Sequence, residues 1–320
     1  MGHSLATINS VGAKRYSRAA AQHWANRSNS DPPYYLRLVI PSRWKGALGS
    51  GYLRTERWWA TRWPFSRGRG IFYRFRPVLY RAGLFPVRLE TEPGVSLQLD
   101  PEDVLQCVLL VDREWEPQVW RGISMHLRGG GVFIDVGAHI GFYSLKAARI
   151  VGPSGRVVAI EPNPETRRLL ARNVAASAAN VTIQPFACCA RDGEVTLHAG
   201  PATHTTHASL ARANTDEPAG PETSHHFAVE GRRVDRIVGE LGLIRIDVIK
   251  IDVEGAELLA LQGAGQTLAR FQPVVIVEIV AATLAAMEAS AGQLHALLWQ
   301  AGYDAGRQLG DTDWEFRPRR

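Results

Sequence analysis

Two acidic residues in the middle of the chain have types and a spacing that suit an adenosine-bearing ligand. Asp135 lies near the end of an apolar segment and precedes a turn that contains Gly137 and Gly141. Glu161 follows the next apolar segment of the chain. A carboxylate in that place can accept hydrogen bonds from both hydroxyls of a ribose. The pair therefore predicts a site for a ligand that contains adenosine.

The turn after Asp135 favours S-adenosylmethionine over a dinucleotide. Glycines let the backbone turn sharply and let a ligand come close. The dinucleotide fingerprint reads G-x-G-x-x-G, whereas Ala138 and His139 follow Gly137 here and the next glycine is Gly141. A carboxylate just upstream repels a pyrophosphate but attracts a ligand with an ammonium and a sulfonium group. We therefore expect S-adenosylmethionine as the cofactor, and an NAD-dependent oxidoreductase on the same fold class is the alternative.

These residues need elements that bring them to one edge of a sheet. The main strands are predicted at 132–136, 157–160, 181–186, 248–251 and 274–279, with a short extra strand at 194–198. Helices are predicted at 142–150, 164–176, 234–241, 256–269 and 293–300, and the tail supplies one or two last strands. Strands joined by helices predict an α/β, Rossmann-like, doubly wound and mostly parallel sheet. Because ligands bind outside the carboxyl ends of such strands, the site is expected at residues 135–141, Glu161, Phe186 and Asp252.

A second group of acids follows the fourth main strand. Methyl transfer from a sulfonium is an in-line displacement that depends on positioning, and an alcohol acceptor benefits from a nearby base. Asp252 and Glu254 share one side of the strand end, and His139 lies in the cofactor turn, so these three are the candidate catalytic residues. Glu257 falls in the first turn of the next helix, where the helix dipole favours a carboxylate. Glu278 is either a second acid on the acceptor side or the partner of an arginine.

Four ordered motifs resemble the FkbM-type methyltransferase family. They are residues 135–144 (DVGAHIGFYS), 160–164 (IEPNP), 190–197 (ARDGEVTL) and 249–257 (IKIDVEGAE), and a looser resemblance runs from Pro86 to about Tyr303. The resemblance implies a class I methyltransferase fold with a seven-stranded sheet, S-adenosylmethionine as methyl donor, and an oxygen acceptor. His139 stands where the family more often has Asn. Both side chains can donate a hydrogen bond, so the departure threatens cofactor binding little.

The resulting hypothesis is an O-methyltransferase that acts on a hydroxyl of a small molecule, a glycan or a lipid. Asp192, after the third strand, is expected near the adenine. The full set of predicted cofactor contacts is Asp135, Gly137, Ala138, Gly141, Glu161, Pro162, Phe186, Asp192 and Asp252.

Charge divides the chain into a basic arm and a body. The net charge is +6, yet residues 1–90 hold 16 Lys and Arg against 3 Asp and Glu. We expect an N-terminal extension at 1–85 and a methyltransferase domain at 86–320, with a lead-in at 86–130 and a core at 131–320. Residues 44–88 alternate aromatic and basic residues. This stretch either packs on its own domain or a neighbouring subunit, or contacts an anionic membrane surface. Nucleic acid is the least favoured partner, because no recognisable nucleic-acid module accompanies the charge.

The remaining features predict a cytoplasmic protein, peripheral to the membrane if the arm binds lipid. No apolar run approaches the roughly 18 residues of a membrane span, and the three cysteines lack the spacing of disulfides or of a zinc site. Residues 199–228 read as an irregular insertion, rich in His and Thr, that serves as a lid or acceptor wall. Its histidines lack a metal-binding pattern, so no metal is predicted. A non-catalytic protein that acts through its basic arm is the second alternative.

Overall fold

The computed structural model describes residues 87–99, 105–106, 108–109, 113–199, 208–210 and 225–319. The predicted arm at 1–85, the aromatic and basic stretch at 44–88 apart from its last two residues, and much of the insertion at 199–228 lie outside these residues. No helix within the described ranges has both the length and the apolar character that crossing a membrane requires.

Strands and helices alternate along most of the described chain. The strands are β1 (Val87–Glu92), β2 (Val95–Leu99), β3 (Val132–Val136), β4 (Arg156–Ile160), β5 (Val181–Gln184), β6 (Ala187–Cys188), β7 (Gly193–Ala199), β8 (Ala208–Ser209), β9 (His225–Arg232), β10 (Val248–Ile251), β11 (Val274–Glu278), β12 (Arg307–Gln308) and β13 (Asp313–Phe316). The helices are α1 (Pro117–His126), α2 (Phe142–Val151), α3 (Pro164–Ala176), α4 (Val234–Glu240), α5 (Glu257–Gln262), α6 (Gly265–Phe271), α7 (Ala281–Ala286) and α8 (Ala291–Gln300).

The central sheet has seven strands in the order β12-β13-β11-β10-β3-β4-β5. The five strands from β11 to β5 run parallel, whereas β13 and β12 are antiparallel additions at one edge. From β3 the chain proceeds outward through β4 to β5, then returns to build β10 and β11 on the other side. The strand order therefore reverses between β3 and β10, which is where doubly wound sheets bind ligands. This topology confirms the predicted doubly wound, seven-stranded class.

Helices cover both faces of the sheet, so its central strands are buried on both sides. Every residue of β3 and of β10 is buried. Side chains alternate between faces along a strand. Val132, Ile134 and Val136 pack in the core that includes α4, α5, α6 and α8. Phe133 packs on the opposite face, against α1, α2 and β2. The same alternation places Asp135 on the α1 and α2 face.

The chain after β5 differs from the sequence prediction. The strand predicted at 181–186 ends at Gln184, and β6 begins a second sheet of order β6-β9-β7-β8. Residues 199–228 are not irregular throughout, because β8 lies within them and β9 begins at His225. Strand β9 pairs with β7 in antiparallel orientation along almost its whole length, and these two strands form the middle of the second sheet.

The helix predicted at 256–269 is two helices, α5 and α6. Gly263 lies at the break, and only glycine fits there, because an added Cβ would lie 2.1 Å from the backbone oxygen of Cys189. Helix α7, between β11 and α8, was not predicted. Strand β3 and helix α3 have the predicted bounds.

Asn173 joins three elements beneath the site. It is fully buried within α3. Its Nδ2 donates to the carbonyl of Ile140 at 2.9 Å, and its Oδ1 accepts from the backbone N–H of Gln98 at 2.7 Å. One side chain thus ties α3 to β2 and to the turn that follows β3.

We expect Asn173→Ala to lower the free energy of unfolding by about 3 kcal/mol, because a buried carbonyl and a partly buried N–H lose their partners. Urea denaturation measures the change. Arg172→Ala is the matched control, since Arg172 is exposed on the same helix. An equal, small effect of both substitutions would contradict the structural role of Asn173.

Candidate functional site

The turn after β3 is shaped by contact with the loop after β10. Gly137 has a φ of +81°, and a Cβ on it would lie 1.9 Å from the backbone oxygen of Asp252. Gly141 has a φ of +90°, and its added Cβ would lie 2.6 Å from Cδ1 of Leu170. From the sequence we expect these glycines to allow a sharp turn and the close approach of a ligand. The structure gives a different reason, because protein atoms already fill the space that a side chain would need.

Glu161 connects this turn to the end of β4. Its Oε2 accepts from the backbone N–H of His139 at 2.9 Å, and its Oε1 accepts from the backbone N–H of Asn163 at 2.9 Å. His139 has a left-handed backbone with a φ of 49°. Burial raises the pKa of Glu161 to about 7, although both backbone hydrogen bonds oppose the shift. Glu161 therefore fixes the geometry of the turn and titrates near neutral pH.

Asp135 lies close to Glu161 and is more deeply buried. Only 1% of Asp135 is exposed, and its Oδ2 accepts from the hydroxyl of Ser144 at 2.6 Å. Its Oδ1 is buried and has no hydrogen-bond partner within the described part of the chain. Burial raises the pKa of Asp135, and the charge of Lys250 is the strongest opposing influence. The charge of Asp135 in turn contributes to the raised pKa of Glu161, so the structure brings the two predicted acids together.

The acids predicted on the acceptor side also gather at the sheet edge. Oxygens of Asp252, Glu254 and Glu278 lie within 4.8 Å of one another. The structure thus places Glu278 beside Asp252 and Glu254, and its role on the acceptor side stays a prediction. Three carboxylates can attract a cation, but the ammonium of Lys250 already binds Asp252 at 3.1 Å. We assign no metal to this cluster.

Glu257 supports the loop that carries two of these acids. It is 1% exposed, and its Oε1 accepts from the backbone N–H groups of Val253 and Gly255 at 3.1 and 3.0 Å. Burial is the main cause of its raised pKa. Through these two hydrogen bonds Glu257 stabilises the conformation of the loop.

The remaining predicted contacts have varied surroundings. Pro162 lines an open cavity of about 410 Å³, together with Pro185 and residues 226–230 of β9. Phe186 packs in the core, and the guanidinium of Arg232 stacks 3.7 Å from its ring centroid. Ala138 is buried, and its backbone N–H donates to the carbonyl of Ile160 at 3.0 Å.

Asp192 is exposed and contacts two arginines at the start of α4. Its Oδ1 accepts from the backbone N–H of Arg233 at 2.8 Å, and Arg236 lies 3.6 Å from its Oδ2. These bonds lower the pKa of Asp192, the backbone bond most of all. The carboxylate thus anchors the start of α4, and its expected position near an adenine stays a prediction.

Sequence reasoning gave no role to Lys250, Ser144 or Tyr143. Lys250 is 2% exposed in the middle of β10, and its Nζ lies 5.0 Å from the centroid of the Tyr143 ring. The hydroxyl of Tyr143 donates to Oε2 of Glu116 at 3.1 Å. A lysine within an otherwise apolar strand was the available signal, since such a charge needs a buried partner.

Comparison with known proteins identifies a family. The family model described as the methyltransferase FkbM domain matches residues 135–305. The methyltransferase sdnD of Sordaria araneosa is 30% identical over 206 residues, which are 56% of this chain and 75% of sdnD. The AMB antimetabolite synthetase AmbE of Pseudomonas aeruginosa is 31% identical over 174 residues, 45% of this chain. The matched part is only 8% of the length of AmbE.

Similar solved structures include two methyltransferase-type folds. The methyltransferase FkbM from Methylobacillus flagellatus has 18% identity and a TM-score of 0.38, with 85% of this chain and 60% of that chain covered. Fibrillarin from Aeropyrum pernix, in complex with S-adenosyl-L-methionine, has 14% identity and a TM-score of 0.36, with 60% and 67% covered. The fold assignment does not depend on these likenesses, because the strand order and the family match carry it.

The raised pKa of Glu161 predicts a stability that depends on pH. The folded protein binds this proton more tightly than the unfolded chain does. The stabilisation is fully present below the ordinary pKa of 4.5 and is lost as the pH rises through about 7. Relative to Glu161→Gln, we expect the free energy of unfolding of the unsubstituted protein to fall across this window by on the order of 3 kcal/mol.

Denaturation at a series of pH values tests this prediction. Glu165→Gln is the control, because Glu165 is an exposed acid in the first turn of α3. Curves of stability against pH that run parallel for the unsubstituted protein and Glu161→Gln would refute the assignment.

Proposed function

The chain belongs to the FkbM methyltransferase family, and from that premise we propose that it methylates a hydroxyl oxygen with S-adenosylmethionine as donor. The observation that carries the proposal is the pair Asp135 and Glu161, two buried acids of neighbouring strand ends beside the glycine turn. The acceptor is proposed to be a small molecule, a glycan or a lipid. An NAD-dependent oxidoreductase is less consistent with Asp135 and with the family.

The residues of the turn fit the charge of this cofactor. Leaving a buried acceptor without a partner costs about 1–3 kcal/mol, and Oδ1 of Asp135 is such an acceptor. The ammonium group of the cofactor would donate a hydrogen bond to this oxygen. Each oxygen of Glu161 accepts one backbone N–H and retains a further lone pair, which suits the two hydroxyls of a ribose. We therefore propose that Asp135 holds the amino acid end of the cofactor and that Glu161 holds the ribose.

The acids after β10 and β11 supply the acceptor side. The bound cofactor supplies an electrophilic methyl group. Asp252 and Glu254 are proposed to orient the acceptor hydroxyl and to take its proton as transfer proceeds, which is the role of a general base. The backbone contact between Asp252 and Gly137 keeps this side next to the cofactor turn. The side chain of His139 remains a second candidate base, while its backbone N–H positions Glu161.

A small biosynthetic metabolite is the favoured acceptor. One relative is named as an antimetabolite synthetase and the other as a methyltransferase, and a small metabolite agrees with both names. The cavity beside Pro162 has the size of a small-molecule site, but its lining includes none of the acids proposed for the acceptor, so it does not bear on the acceptor's identity. Because β9 supplies part of its wall, the second sheet is proposed to contribute to ligand selection.

Calorimetric titration with S-adenosylmethionine tests the cofactor assignment. We expect Asp135→Asn and Glu161→Gln each to weaken binding at least about tenfold, which corresponds to about 1.4 kcal/mol. Glu165→Gln should bind like the unsubstituted protein, since that acid is exposed. Unchanged binding by the variant with both substitutions would exclude the proposed site. A parallel titration with NADH separates the oxidoreductase alternative.

Transfer of a radiolabelled methyl group tests the reaction. A cell lysate is incubated with the enzyme and the labelled cofactor, then separated into lipid, polysaccharide, protein and small-molecule fractions. We expect label in the small-molecule fraction, and Asp252→Asn should reduce the rate at saturating cofactor at least about 100-fold, as loss of a general base does. Full transfer by Asp252→Asn would remove that residue from the mechanism.

A further inference from the structure

Lys250 is a buried cation at the point where the strand order reverses. It lies in the centre of the seven-stranded sheet, 2% exposed, on β10. A charged ammonium remains in such a place only if partners compensate its lost hydration. Burial opposes the charge of Lys250, but the surrounding acids outweigh burial and raise its pKa. Lys250 is therefore a permanent positive charge beneath the candidate site.

Three carboxylates from three parts of the fold act on this ammonium. They are, in order of influence, Asp252 after β10, Asp135 on β3 and Asp313 on β13. The hydrogen bond to Oδ2 of Asp252, at 3.1 Å, fixes the position of the ammonium. The register of the sheet places Lys250 directly beside Asp135 on the neighbouring strand.

The groups around Asp135 show how the ammonium of Lys250 affects the ionisation of this carboxyl group. Besides Lys250, the charged or titratable groups that act on it are Asp252 and Glu161, both acidic. Ser144 donates a hydrogen bond but carries no charge. Lys250 is thus the positive charge that favours the ionised form of Asp135, while burial and two acids disfavour it.

We propose that Lys250 is a positioning residue for the cofactor, and that its ammonium, fixed by Asp252, keeps Asp135 anionic so that Asp135 can bind the cofactor's ammonium group. The inference rests on the proposed function, because it assigns the partner of Asp135 to S-adenosylmethionine. It extends that function to a residue that touches neither the cofactor nor the acceptor. Lys250 acts through Asp135.

The test compares Lys250→Met with Lys146→Met. Methionine keeps much of the length of the lysine side chain and removes its charge. Lys146 is the matched control, because it is also buried, at 6% exposure, but pairs with Glu92 and lies over the ring of Trp120. Thermal melting establishes that each variant is folded.

Calorimetry at pH 7 in two buffers of different ionisation enthalpy gives the affinity for S-adenosylmethionine and the number of protons released on binding. The unsubstituted protein should release about half a proton, because Glu161 has a pKa of about 7 and ionises on binding. Lys250→Met should bind at least about tenfold more weakly and release up to about one further proton, since Asp135 is then protonated in the free protein. Lys146→Met should match the unsubstituted protein in both quantities.

Two further variants isolate the cause. Lys250→Met with Asp135→Asn should return proton release to the level of the unsubstituted protein, because the titrating group is gone. If Lys250→Met does not fold, Lys250→Met with Asp252→Asn removes both members of the ion pair, and the extra proton release is expected in that variant as well.

The outcomes separate the two proposals. An unchanged affinity in Lys250→Met, or a weaker affinity with unchanged proton release, overturns the role of Lys250 and leaves the proposed function standing. Failure of the unsubstituted protein to bind S-adenosylmethionine overturns both. Weaker binding with extra proton release supports the inference, because a purely structural defect would not change the proton count.

Discussion

The close contact between the turn after β3 and the loop after β10 is the constraint on which the candidate site depends. Gly137 meets the backbone oxygen of Asp252 at a separation that no side chain would permit. This contact holds the loop after β3 close to the loop after β10, although the two loops come from opposite halves of a doubly wound sheet. Asp135 lies at the end of β3, just before the first loop, and Asp252 and Glu254 lie in the second loop. Their separation is therefore set by backbone, which deforms much less readily than a long side chain.

The acids of the site are stabilised in two different ways. Glu161 accepts two backbone N–H groups and so replaces water with fixed donors. Asp135 has a hydroxyl and a nearby ammonium but keeps one oxygen without a hydrogen-bond partner in the described structure. Buried groups that keep an unused hydrogen-bonding capacity are costly. Functional sites are where such costs are commonly retained.

Much of the fold could be predicted because apolar strands and amphipathic helices leave a periodic pattern. Strand β3 and helix α3 have their predicted bounds. The sequence prediction missed the break between α5 and α6, where Gly263 packs against the backbone of Cys189, a residue far away in sequence. The second sheet was missed for a related reason. Strand β9 is defined by its pairing with β7, and pairing partners are not visible in one segment alone.

The site shows the same division. Asp135 and Glu161 were predicted because Asp135 lies near the end of one apolar strand and Glu161 follows the next, and strand order then brings them together. Lys250 was overlooked because its importance comes from acids on three separate elements. Asn173 was overlooked because its two partners lie in β2 and in the turn after β3. The local sequence pattern shows which residues lie at the end of a strand. Burial and contacts with residues far away in sequence become visible only in the three-dimensional structure.

The second sheet has a consequence for how such proteins diversify. Within the described residues, β9 pairs with β7 and β6 and lines the cavity beside Pro162. The strand order of the central sheet does not involve it. Mutations on the outward side of β9 can therefore accumulate over evolution without disturbing the glycine turn. Selection can change the residues on one wall of the cavity while the residues of the glycine turn stay the same.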